Sequence, residues 1–417
     1  MNGSSSVIPT LLREGDADTA ATVAIRALDE TFGLDVVGIV FTQDEYSLNS
    51  VSGRARLRSG KEYFFKFHQE EGELDNVQEY YRAHLLADAG LPTEVPVATS
   101  TLPGAQMVLY AIRTEPRLAD VCARLEREHG EDARLPPPLL AARRALDERI
   151  GDVLVATVRE PSGASATASI HQLFHHRLVD DDGHFPGGRY ATYYAGDPDI
   201  APLLDRRWRV NGVEYEHSPT EIARQAARVL RPGELALMHE ATAHGDDHQG
   251  NVWVLGEESG GVTLRLFDPA FAGDDLPVLL APVKALFHNV FAHPFWLYHP
   301  GEAELRSTVS TRVDDRVVEV VHDIRLTRLR REILASAEEL IWAPLLRELA
   351  RRGALPEQWR RIVRSALFCC PMLVTNLAAP NRSVPIRHLG VASSVAMGSE
   401  PVAGTDALSD FLDRITP

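Results

Sequence analysis

A chain of 417 residues with 44 % apolar and 24 % charged side chains can bury two hydrophobic cores, which excludes a disordered or fibrous protein. Its 59 acidic against 43 basic residues give a net charge of -16, a balance that disfavours nucleic acid as a partner and suits a cationic ligand. Three cysteines, Cys122, Cys369 and Cys370, are too few for a disulfide framework, no apolar run reaches 18 residues, and Met1 to Ser6 lacks the basic and apolar regions of a signal peptide, so a cytoplasmic protein away from membranes is expected.

In chain order, Val36 to Phe41, Leu48 to Leu57 and Glu62 to Phe67 read as strands, the last two joined by the tight-turn pair Ser59-Gly60. Alternation in Tyr63-Phe64-Phe65-Lys66-Phe67 puts Lys66 on the face opposite Phe65 and Phe67. A helix is predicted from about Glu73 to Ala89, stopped by Gly90 and Pro92, with Glu79, Ala83 and Leu86 on one face. Thr93 to Thr99 and Gln106 to Ile112 are two further candidate strands.

The middle of the chain is charged and loop-like over Glu126 to Arg134, then helical from Pro136-Pro137-Pro138 to about Val158. His171, His175 and His176, with Asp180-Asp181-Asp182 and His184 beyond, have the residue types of a metal site, although a helix end with polar contacts accounts for them as well. Around Asn211-Gly212, Trp208 to Tyr215 reads as a β-hairpin.

The stretch with chemical content is His244-Gly245-Asp246-Asp247-His248-Gln249-Gly250-Asn251, followed by Phe267-Asp268-Pro269. Phosphoryl transfer needs a carboxylate beside the attacking hydroxyl and oxygen ligands for Mg²⁺ from the same few residues. Asp246 suits the first role, and Asn251 and Asp268 the second. Val252 to Leu255 and Val262 to Phe267 read as two strands around the hairpin loop Gly256 to Gly261, which returns Asp268 to the neighbourhood of Asn251.

This octapeptide resembles the His-Gly-Asp-x-His-x-Gly-Asn loop of the aminoglycoside phosphotransferase and choline kinase family, relatives of the protein kinases. The resemblance implies a bilobal α+β protein-kinase-like fold, with a small antiparallel-sheet lobe over residues 1–112 and a large, mainly helical lobe with insertions over 113–417. It implies Asp246 as catalytic base, Asn251 and Asp268 as Mg²⁺ ligands, and His244 and His248 as buttresses of the loop. A kinase-like fold also needs a third-strand Lys for the α/β-phosphates and a helix Glu to pair with it, which Lys66 and Glu79 supply. Met107 to Ala111 fits the hinge that receives the base by position. The phosphate-covering segment is Asn49-Ser50-Val51-Ser52-Gly53, where Ser52 and Gly53 are the expected contacts in place of a full glycine-rich loop, and no Walker A pattern occurs.

The expected activity is therefore an ATP- or GTP-dependent, Mg²⁺-requiring phosphotransferase acting on the hydroxyl of a small molecule: an antibiotic such as an aminoglycoside, an amino alcohol or another metabolite. Three alternatives are a nucleotide-binding protein that keeps the fold without catalysis, a nucleotidyl transferase, and a metallohydrolase using His239, Glu240, His244, Asp247 and His248. The last lacks the zincin spacing, since Gly245 rather than Glu follows His244, the first of the two histidines four apart.

Beyond Asp268, Asp274 and Asp275 read as helix caps or as contacts for an amino-bearing substrate, ahead of a helix through Val283 to His288. His293 to Pro300 is rich in aromatics and reads as a buried anchor. Helical patterns are predicted over Val318 to Arg352, broken at Pro344, and over Pro356 to Leu377. A loop-like tail follows from about Val384, with a last helix from Asp406 to Ile415.

Overall fold

The computed structural model describes residues 7–42, 50–68, 82–100, 106–256, 260–292 and 294–417. Its N-terminal part is a five-stranded antiparallel sheet of order β1-β2-β3-β5-β4, formed by β1 (Val36–Thr42), β2 (Ser50–Leu57), β3 (Glu62–His68), β4 (Ala98–Ser100) and β5 (Met107–Ala111). Helices α1 (Ile8–Arg13) and α2 (Ala17–Phe32) precede it. Asp16 caps α2 by accepting from the Thr19 amide, and Gly33 ends it at φ 65°. Ala24 and Leu28 of α2 share a compact core with Phe65, Phe67, Met107 and Leu109. That core uses one face of β3 and leaves Lys66, on the other face, to the cleft.

Gly53 has a packing reason to be glycine. A Cβ there would lie 2.5 Å from the Val40 carbonyl oxygen and 2.7 Å from Cζ of Phe65. Its neighbour Ser52 faces the other way and pairs in register with Lys66.

The remaining part is larger and mainly helical, α+β overall as the sequence predicts. Helix α3 (Ala83–Asp88) already belongs to it, since Leu86 and Leu91 join the large core rather than the core of the sheet. The helices α4 (Leu118–His129), α5 (Pro137–Thr157), α6 (Pro219–Val229), α7 (Arg328–Ala337), α8 (Trp359–Val374), α9 (Val384–Gly398) and α10 (Ala407–Ile415) pack around Trp208, Trp296, Trp342 and Phe368. No helix among the described residues is long and apolar enough to cross a membrane.

Several elements differ from the sequence expectation. Glu126 to His129, expected in a loop, form the last turn of helix α4. Val318 to His322, expected to be helical, lies in strand β13 (Val317–His322), which pairs antiparallel with β12 (Val309–Val313) and parallel with β6 (Arg207–Val210). Its β-branched residues alternate in burial, a period of two that a helix reading overlooks. The expected break at Pro344 is present as a π-helical turn, Glu338–Trp342, between the α-helical runs Arg328–Ala337 and Ala343–Arg351. The tail from Val384 is helix α9 and not a loop, because its small residues serve close packing: a Cβ on Gly390 would approach Leu377 to 2.7 Å and one on Gly398 would approach Ile222 to 2.5 Å. The Asn211-Gly212 hairpin is formed as expected, with φ 48° and 86° joining β6 to β7 (Val213–Glu214).

Candidate active site

The site is built on the strand β8 (Glu240–Ala243), the loop after it, and the hairpin of β9 (Val252–Gly256) and β10 (Val262–Leu266). The hairpin register pairs Val252 with Leu266, so Asn251 and Phe267 meet at its open end and the Phe267 amide donates to the Asn251 carbonyl at 3.0 Å. This is the juxtaposition the two short apolar runs predict.

Two histidines lock the loop. His244 Nε2 donates to the Phe267 carbonyl at 2.9 Å, while its Nδ1 accepts from the Asp246 amide at 3.3 Å, which fixes the tautomer. His248 Nδ1 accepts from the Gly250 amide at 3.0 Å, so its Nε2–H is directed to Asp246 Oδ1, 3.8 Å away. Burial pushes His248 down to about 4, and it is neutral at ordinary pH. Gly245 sits at φ 76°, and a Cβ there would lie 2.6 Å from the Phe271 carbonyl oxygen. The Asn251 side-chain amide donates to the Asp246 carbonyl at 2.9 Å, which turns its own oxygen away from that bond. Asp268 adopts φ 58°, a left-handed turn that Asp tolerates, where the chain leaves β10.

Across the cleft, Lys66 is 8 % exposed and donates to Asp268 Oδ1 at 2.6 Å. Glu79, its expected partner, lies outside the described residues. A cleft of about 500 Å³ opens beside this ion pair, lined by Ser52, Lys66, Tyr110, Trp253, Phe267 and Asp268 among others. Gly53 is turned toward Phe65, away from it. Trp253 and Phe267 stack, with ring centroids 4.3 Å apart and planes 19° apart. Buried Glu94 accepts from Trp253 Nε1 at 2.8 Å and from Arg113 Nε at 2.6 Å, fastening the segment after β5 to the hairpin.

Several residues of this site have no motif to announce them. Trp253, Glu94 and Arg113 are ordinary strand and loop residues in sequence. Lys284 approaches Asp246 Oδ1 to 3.6 Å and bonds His288 Nε2 at 3.0 Å. Asn289 Oδ1 accepts from the Gln249 amide at 2.8 Å. The available signal was a lone Lys in an apolar helical run with His four residues on.

Other candidates are engaged elsewhere. Asp274 and Asp275 cap no helix; they lie in the strand β11 (Gly273–Pro277), paired with β8, and face Arg82 at 3.5 and 4.0 Å. Glu240 is held by Ser162 and by Arg159 at 3.3 Å, and His239 lies 3.4 Å from Glu160. His171 Nε2 donates to the Ser165 carbonyl at 2.6 Å, and burial pushes His171 and His175 down to about 4. Among the described residues no group of three or more His, Cys, Asp or Glu is arranged to hold a metal.

No family model matches the sequence, and no curated protein matches it. Among solved structures, the chain is similar in fold to small-molecule phosphotransferases. An amicoumacin kinase, solved with AMP-PNP, Ca²⁺ and its antibiotic, is 12 % identical, with 93 % of this chain and 96 % of that one covered and a TM-score of 0.43. A spectinomycin phosphotransferase, solved with ADP and spectinomycin, is 15 % identical over 90 % of this chain and 98 % of that one, with a TM-score of 0.37. The macrolide 2'-phosphotransferase of Brachybacterium faecium is also 15 % identical, over 89 % and 96 %, with a TM-score of 0.34.

Proposed function

We propose that this protein is an ATP- and Mg²⁺-dependent phosphotransferase that phosphorylates a hydroxyl of a small molecule. The observation that carries the reading is the convergence of Lys66 from a sheet strand with Asp268 at 2.6 Å, beside a loop in which His244 bridges the Asp246 amide to the Phe267 carbonyl and Asn251 donates to the Asp246 carbonyl. Lys66 and Asp268 are 202 residues apart in sequence, and their pairing supports a phosphate- and metal-binding cleft of the kind phosphoryl transfer uses.

Asp246 receives the proton of the acceptor hydroxyl on the part of its carboxylate that keeps the side chain 14 % exposed. Lys66 moves from Asp268 to the α/β-phosphates when nucleotide enters the cleft. Asn251 and Asp268 fit Mg²⁺, since both offer oxygen, the Asn251 amide nitrogen is already committed, and such a site takes one or two protein ligands together with phosphate oxygens. The metal supplies neutralisation of charge on the transferred phosphoryl group. The stacked Trp253 and Phe267 provide an apolar floor suited to a nucleobase.

The acceptor is a hydroxylated antibiotic, an amino alcohol or a related metabolite. The excess of acidic side chains favours a cationic one. The test is an ADP-release screen over such alcohols with ATP and Mg²⁺, with Asp246→Asn as control. ADP release that rises above the slow release with water when an acceptor is added, and that disappears in the variant while calorimetry still detects nucleotide binding, is the expected result. Full turnover by Asp246→Asn refutes the assignment.

A further inference from the structure

We propose that Lys284 is a positioning residue for the transfer, its ammonium holding the Oδ1 side of Asp246 so that the rest of that carboxylate faces the acceptor hydroxyl. The inference rests on the phosphotransferase reading of Asp246 and adds to it a residue outside the loop.

Lys284 is 4 % exposed, and a buried ammonium needs partners. It has two: His288 Nε2 at 3.0 Å, and Asp246 Oδ1 at ion-pair distance, 3.6 Å. His248 Nε2 also faces this oxygen, at 3.8 Å, farther away than the Lys284 ammonium. An ammonium only donates, hence His288 Nε2 accepts and its Nδ1–H donates to the Tyr298 hydroxyl. Burial, reinforced by Lys284, holds His288 well below its usual pKa and neutral, as that acceptor role demands. Lys284 is thereby fixed from behind by a buried histidine, itself fixed by a tyrosine. Asp246 Oδ1 is sealed from solvent, while the Asp246 side chain as a whole keeps 14 % exposure, so the remaining exposure belongs to the rest of the side chain. The site thus contains two acid–lysine pairs: Lys66 meets Asp268 beside the cleft, whereas Lys284 is built into the base of the loop.

The test compares Lys284→Met, which removes the charge at similar volume, with wild type in ADP release from ATP and Mg²⁺ using water as the acceptor. We expect a loss of about tenfold or more, the scale set by misplacing a catalytic group, with ADP affinity unchanged within about twofold. Undiminished release, or an equal loss of ADP affinity, overturns the proposal. A second measurement does not depend on turnover: melting temperatures of Lys284→Met, Asp246→Asn and the double variant. Shifts that fail to add support the pairing, and additive shifts overturn it. Should wild type release no ADP with any acceptor, the phosphotransferase reading fails, and the melting cycle still decides whether Lys284 and Asp246 act as a pair.

Discussion

Removing Glu126 should destabilise the helical part of the protein by an amount that its surroundings let one estimate. Glu126 on α4 and Arg330 on α7 are each 1 % exposed in their side chains. Glu126 accepts from Arg330 Nε at 2.7 Å, from Arg330 Nη2 at 3.0 Å and from Thr327 Oγ1 at 2.9 Å. Glu126→Ala strips the guanidinium of this counter-ion, and breaking a buried pair on one side costs about 3 to 5 kcal/mol. Arg330 Nη1 keeps the carbonyls of Val290 and Ala292, at 3.2 and 2.7 Å, which places the expectation near the lower bound, about 3 kcal/mol. With a urea slope of about 3 kcal/mol/M, the unfolding midpoint drops by about 1 M. Tryptophan fluorescence is the appropriate probe, because all five tryptophans lie beyond residue 200 and report the helical part. The double change Glu126→Leu with Arg330→Met should recover part of the loss, since an apolar pair of similar volume replaces the ion pair while the Val290 and Ala292 carbonyls lose their Arg330 donor. A single variant within about 1 kcal/mol of wild type, or a double variant no better than the single, refutes this account of the pair.

Lys66→Met should weaken ATP binding by about tenfold to a hundredfold, the value of a charge-assisted hydrogen bond to phosphate; an unchanged calorimetric Kd removes Lys66 from the phosphate site. His171, His175 and His248 are each pushed by burial from 6.5 down to about 4, so the unfolded chain binds protons that the folded one refuses. Their contribution to stability is complete above pH 6.5 and is lost as pH falls toward 4, at about 2 kcal/mol per histidine by pH 5. Melting temperatures should fall steeply between pH 7 and pH 5, and less steeply in His175→Leu; a flat profile contradicts the burial argument.

Much of the site was legible because it is local. The octapeptide carries its own tautomer locks, since His244 and His248 reach amides two residues ahead. The hairpin between Asn251 and Asp268 returns the chain by strand pairing alone. Alternation in β3 sufficed to turn Lys66 away from the apolar core. What escaped was non-local. Val317 to His322 is a strand through its parallel pairing with Arg207–Val210, a partner no local pattern names. Helix α9 is a helix because Leu377, Ile222 and Phe368 accept its glycines at close range.

The sequence alone therefore carried the proposed reaction chemistry: an Asp, an Asn and a second Asp at fixed intervals on rigid local structure, with a lysine on a strand face. Tertiary structure decided which charges meet. It set Lys66 against Asp268, buried Lys284 behind Asp246, and engaged Asp274, Asp275 and Glu240 with arginines. The physical reason is that a side chain's direction follows from backbone period and turn type, which short segments encode, whereas its partner depends on how distant elements pack, and only the folded chain holds that information.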